Sequence, residues 1–154
     1  MAPRPLIAGN WKMNMDLAGS EALAKDLVTG VGAAAKFEMA VCPPAPYLSA
    51  VLTVLDGSMI SVGGQDCHQN ASGAHTGDTS AAMLADLGCT YVIVGHSERR
   101  ADHAESDAVV LAKAMAARAN DLIPIICVGE TEAERDAGKT LDVVGTQIRG
   151  SVPD

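Results

Sequence analysis

Aromatic residues are nearly missing from this chain: one Phe, one Trp and two Tyr make up 3% of its 154 residues. Its core must therefore be built from Ala, Val, Leu, Ile and Met, as in α/β proteins whose sheet is covered on both faces. Positive charge is also scarce, with 11 Lys and Arg against 19 Asp and Glu and a net charge of -8. That balance argues against nucleic acid and against an anionic membrane as partners, while leaving room for a local cationic pocket for a small anion. No apolar run reaches membrane-spanning length. Met1-Ala2-Pro3-Arg4-Pro5 leads straight into a strand-like run with no leader-like segment. The four cysteines, Cys42, Cys67, Cys89 and Cys127, form no C-x-x-C pair. Cys42 and Cys127 fall in strand-like runs, where a cysteine acts as a small buried hydrophobe. Reduced thiols and a cytoplasmic location are the expectation.

What is present is a 48% hydrophobic, 19% charged composition, enough for one globular domain with a genuine core. Strand-like runs are Leu6-Ile7-Ala8, residues 38–42, 59–64, 89–94 and 122–128. Helical spacing follows each. Leu17, Leu23, Leu27 and Val31 precede the stop at Gly30 and Gly32, and Tyr47 to Leu55 follows Pro43-Pro44-Ala45-Pro46. A helix from about Ser80 to Leu87 stops at Gly88, and one helix after the fourth strand shows an apolar face of Ala108, Leu111, Met115 and Ala119. Thr131 and Glu134 have capping-box spacing, and residues 141–150 carry a last helix. These are five βα units of about 30 residues each. The first strand is not followed by Gly-x-Gly-x-x-Gly, which argues against a nucleotide-binding Rossmann domain. The repetition favours a (β/α) barrel, of which about five of eight units are present.

In a parallel βα array, the loops after the strands share one face. That rule collects Asn10 and Lys12, the long polar loop Gln65 to Asp78, His96 and Glu98, and Glu130. Lysine, amide, imidazole and carboxylate on one rim suit carbonyl polarisation and proton transfer on an anionic small molecule. Each has a plainer reading. Lys12 would be a surface charge, Glu98 would pair with Arg99 or Arg100, and His96 would cap a turn. Cys67, His68 and His75 lack the fourth ligand and spacing of zinc modules, so no metal is expected. No cysteine is placed as a nucleophile beside a histidine.

Four motifs in register resemble the triosephosphate isomerase family. They are Gly9-Asn10-Trp11-Lys12-Met13-Asn14, Gly73-Ala74-His75-Thr76-Gly77-Asp78 with Ser80-Ala81-Ala82-Met83-Leu84, Val94-Gly95-His96-Ser97-Glu98-Arg99-Arg100, and Ile126-Cys127-Val128-Gly129-Glu130. The resemblance implies a (β/α)8 TIM barrel and an isomerase that needs no metal or organic cofactor. That enzyme interconverts dihydroxyacetone phosphate and glyceraldehyde 3-phosphate through an enediolate, in glycolysis and gluconeogenesis. It makes Asn10 and Lys12 the substrate-contacting pair, and His96 an electrophile kept neutral by a helix N-terminus. Glu98 becomes the carboxylate that orients the lysine, with Cys127 and Glu130 in supporting positions.

The 65–78 loop resembles the family's dimerisation loop, with Thr76, followed by Gly77 and Asp78, entering a partner's active site. The family commonly has Glu where this chain has Asp78, a shorter reach toward an arginine such as Arg99 across the interface. The family's catalytic glutamate and phosphate-gripping glycines belong to loops after the sixth, seventh and eighth strands, and no matching motif follows Glu130. The resemblance thus implies that residues 1–154 are the N-terminal part of a single barrel domain, a truncated chain inactive alone. Its expected partners are a triose phosphate, a second copy, and a complementary C-terminal fragment. The alternative is a non-catalytic half-barrel that only assembles or binds.

Overall fold

A computed structural model describes residues 4–31 and 36–154. Five strands, β1 (Leu6–Asn10), β2 (Glu38–Cys42), β3 (Ile60–Gly64), β4 (Tyr91–Val94) and β5 (Ile123–Ile126), form one sheet in the order β1-β2-β3-β4-β5. Every pairing is parallel, with Asn10 opposite Cys42 and Val94 opposite Ile126 at the carboxyl ends. Sequential parallel pairing is the order of a barrel wall, and five strands make a half-barrel. Among the described residues β1 pairs only with β2 and β5 only with β4, which leaves two sheet edges there, with Ile7 53% and Ile123 51% exposed. In β4, by contrast, all four residues are buried, as its wholly apolar composition predicts.

The helices are α1 (Leu17–Gly30), α2 (Leu48–Leu55), α3 (Ala81–Leu87), α4 (Ser97–Asp102), α5 (Asp107–Arg118), α6 (Glu132–Asp136) and α7 (Thr140–Ser151). Five of the seven helix starts are capped by a side chain, and those of α2 and α7 are not. The Asp16, Ser80 and Ser106 side chains accept the N–H of Gly19, Met83 and Val109, satisfying otherwise orphaned donors. Thr131 and Glu134 close the capping box that their spacing predicts. Gly88, at φ +99, ends α3 in the left-handed conformation that glycine adopts without strain. Gly32, expected to help close α1, lies outside the described residues.

The core lies between the sheet and these helices: Val41, Val62, Val92 and Val94 meet Leu48, Val51, Leu84, Val110, Ala114 and Ala117. One expectation fails here. The segment after β4 is two helices rather than one, because Ala104 adopts a left-handed φ of +54 and breaks the run between α4 and α5. The buried face of α5 is Val110, Lys113, Ala114 and Ala117, and Met115 is 52% exposed. No helix among the described residues is long and apolar enough to cross a membrane.

Candidate active site

The carboxyl ends of β1, β3 and β4 bring Asn10, Lys12, Gln65, Asp66, His96, Glu98 and Arg99 around a cleft of about 550 Å³. Lys12 is held with care. Its φ of +53 is rare for a residue with a side chain, and such strain persists only where surroundings over-determine it. Here its N–H donates to Asn10 Oδ1 (2.9 Å), and its carbonyl accepts from Gln65 Nε2 (2.7 Å). Its ammonium donates to Glu98 Oε1 (2.6 Å). Gln65 Nε2 also donates to the Cys42 carbonyl (2.9 Å), tying the exits of β1, β2 and β3 together. Glu98 therefore does not take Arg99 or Arg100, the plainer pairing considered from sequence. Its carboxyl is held below its ordinary range, chiefly by the hydrogen bond from Lys12.

His96 is the N-cap of α4, and its Nδ1 accepts the Glu98 N–H at 3.2 Å. The turn-capping reading and the chemical reading are thus the same contact. An Nδ1 that accepts leaves the proton of a neutral ring on Nε2, and Nε2 has no hydrogen-bond partner among the described residues. A Glu98 carboxylate oxygen lies 3.4 Å from the same Nδ1, slightly farther than the amide nitrogen.

Cys127 and Glu130 line a neighbouring hollow with Gly95, His96, Arg100 and Arg135. Burial raises the Cys127 thiol, an effect that Arg100 partly offsets. Glu130 accepts from Arg135 Nε (2.8 Å) and Thr140 Oγ1 (3.2 Å), so it fastens α6 and α7 to the exit of β5. Arg100, which sequence reasoning named only as a possible partner of Glu98, donates to the Gly95 carbonyl (2.8 Å), Asp107 Oδ1 (2.5 Å) and Ser151 Oγ (3.1 Å). The motif containing it was visible; its partners, up to 51 residues away, were not.

Thr76, Gly77 and Asp78 do not join the cleft. They lie exposed on the 65–78 loop, which is braced from within. His68 N–H donates to the Thr79 carbonyl (2.8 Å) and Asn70 N–H to His68 Nδ1 (3.0 Å), while the His68 and His75 rings stack at 3.9 Å. Asp78 lies 3.8 Å from His68 Nε2. Cys67 stands apart from the two histidines, buried with its thiol against the Lys113 carbonyl (3.8 Å). Arg99, the expected partner of an interface carboxylate, is engaged within its own chain by Asp66 (2.9 Å) and Glu105 (2.6 Å).

The chain is similar to known proteins over nearly all of its length. The family model described as triosephosphate isomerase matches residues 5–154. The triosephosphate isomerase of Afipia carboxidovorans is 57% identical over 98% of this chain and 60% of its own length. That of Acidiphilium cryptum is 57% identical over 97% of this chain and 58% of its own. The crystal structure of the Bartonella henselae triosephosphate isomerase superposes with a TM-score of 0.93 at 47% identity, over 99% of this chain and 63% of that one. The chain thus spans about 60% of the length of the curated relatives it matches. By its sequence, its half-barrel and these matches, the chain belongs to the triosephosphate isomerase family.

Proposed function

We propose that residues 1–154 are the N-terminal part of a single TIM-barrel domain and supply the electrophile half of a triosephosphate isomerase active site. The observation that carries the reading is the convergence of Asn10, Lys12 and His96 on one cleft, with His96 Nδ1 already accepting from a helix N-terminus. In the reaction, a carboxylate base removes a proton from the carbon next to the carbonyl of dihydroxyacetone phosphate, giving an enediolate. Reprotonation at the neighbouring carbon gives glyceraldehyde 3-phosphate. The Nε2–H of His96 would donate to the carbonyl oxygen as it gains charge, and move a proton between the two enediolate oxygens. Lys12, placed by Asn10 and Gln65, would offset the negative charge of the phosphate and the enediolate. Glu98, Cys127 and Glu130 would support these groups without touching substrate. No metal or organic cofactor enters any of these steps.

The base and the phosphate grip would come from three further βα units of such a barrel, so residues 1–154 by themselves would not turn over substrate. A complementary C-terminal segment is the partner expected to cover the open edges at Ile7 and Ile123. A second copy is the other, joined through the 65–78 loop. Exposed Thr76, Gly77 and Asp78 on that self-braced loop, and Met13 at 94% exposure beside the cleft, support that association. Free thiols fit a cytoplasmic place in glycolysis and gluconeogenesis.

The test is an isomerase assay on this polypeptide mixed with one that supplies strands six to eight of a relative. His96→Gln should lower the rate of the mixture by roughly 10²–10⁴-fold, the range of general acid–base contributions. A full rate in that variant would overturn the role of His96.

A further inference from the structure

Four charged side chains form a knot next to the cleft. The Lys113 ammonium, its side chain 4% exposed, takes both Asp66 oxygens at 2.8 Å and Glu105 Oε1 at 2.5 Å. Arg99 Nε lies 2.9 Å from Asp66 Oδ2 and 2.6 Å from Glu105 Oε1. Two cations and two carboxylates balance, which is what allows charges to stay buried; removing one partner strands the others in low dielectric. The knot joins the loop after β3 to helix α4, helix α5 and the link between them, which holds Glu105.

Asp66 holds a special place in it. Its chain neighbour Gln65 grips the strained Lys12 main chain at 2.7 Å. Its salt-bridge partner Arg99 sits on α4, the helix capped by His96 and bearing the Glu98 that receives the Lys12 ammonium at 2.6 Å. Both routes to Lys12, through its carbonyl and through its ammonium, lead back to Asp66. We propose that Asp66 is a positioning residue that fixes Lys12 and His96 relative to each other by locking the loop after β3 to helix α4. It acts through Gln65 and Arg99 and touches no substrate. The proposal rests on the roles of Lys12 and His96 given above.

A knot that only stabilises the fold would change melting temperature and nothing in the cleft. The test therefore reads the completed barrel well below its melting temperature, by kcat/KM and by the nitrogen resonances of the His96 ring and the Lys12 ammonium. Asp66→Ala is expected to lower kcat/KM by roughly 10-fold or more and to shift both sets of resonances, since misplacement of about 1 Å can cost 10²-fold. Asp66→Glu keeps the charge and both acceptor oxygens for Lys113 and Arg99 and should restore kcat/KM to within about threefold. An Asp66→Ala protein with resonances unmoved and kcat/KM within about twofold would overturn the proposal, because catalysis is that sensitive to geometry. If Asp66→Ala does not fold, Arg99→Met cuts the same link from the α4 side, and the same two outcomes decide. Failure of the underlying functional reading looks different: the unmodified completed barrel would be inactive, and the resonances alone would then decide the positioning claim.

Discussion

Lys12 and Glu98, 86 residues apart in the chain, meet in an ion pair of 2.6 Å at the mouth of the cleft. Both side chains are about half exposed, at 51% and 52%, so solvent screens the pair and its contribution to stability is small. Its effect is orientation: it gives the lysine a fixed direction beside His96.

The pair sets a pH signature. Glu98 lies below its ordinary value of 4.5, first because Lys12 donates a hydrogen bond to it. A carboxylate depressed on folding contributes above its unfolded value, and the contribution is lost as pH falls through the folded one. A carboxyl ¹³C titration should therefore find the Glu98 midpoint below 4.5. Lys12→Met should raise that midpoint toward the ordinary value. A midpoint that stays put without the lysine would show that Lys12 does not hold Glu98.

Gly95 precedes His96 and sits at φ +69, where a side chain is strained. A Cβ there would lie 2.6 and 2.8 Å from the two methyl carbons of fully buried Val110. Gly95→Ala combines backbone strain with overpacking and should cost about 1–3 kcal/mol, read as a lower urea midpoint at unchanged slope. In a Val110→Ala background, the cost of Gly95→Ala should fall by the overpacking part only, because φ is unchanged. If Gly95→Ala cost nothing relative to Val110→Ala alone, the backbone would carry no strain.

Thiol chemistry should follow burial. Burial pushes Cys42 and Cys67 up to about 12 and Cys89 to about 11. The thiolate is the reactive form, so these three should resist an aromatic disulfide reagent at pH 8 until the chain unfolds. Cys127 is less enclosed and lines a hollow beside His96, so it should react first. Peptide mapping after short exposure checks the order, and early labelling of Cys42 or Cys67 would contradict it.

The sequence made some of this legible and hid the rest for identifiable reasons. β4 was plain because Val92-Ile93-Val94 can only be buried on both faces, and the rule that loops after parallel strands share a rim gathered Asn10, Lys12, His96 and Glu98. The break between α4 and α5 stayed hidden because residues 102–106 contain neither Gly nor Pro, and a left-handed Ala104 has no sequence signature. Lys113 was invisible as a buried residue: its partners Asp66 and Glu105 lie 47 and 8 positions away, and only the fold brings them together. Gln65 marked only the start of a loop, since its grip on Lys12 spans 53 residues. Pairings set by strand order, and not by local pattern, are what sequence reading misses.

The proposed role of residues 1–154 is to supply one half of an isomerase site. Its most direct test is the rate of triose phosphate isomerisation by the 154-residue polypeptide, alone and then mixed with strands six to eight of a relative. The polypeptide alone should show no turnover above buffer, and the mixture measurable turnover. Isomerisation by the polypeptide alone would contradict the assignment of the base to the rest of the barrel.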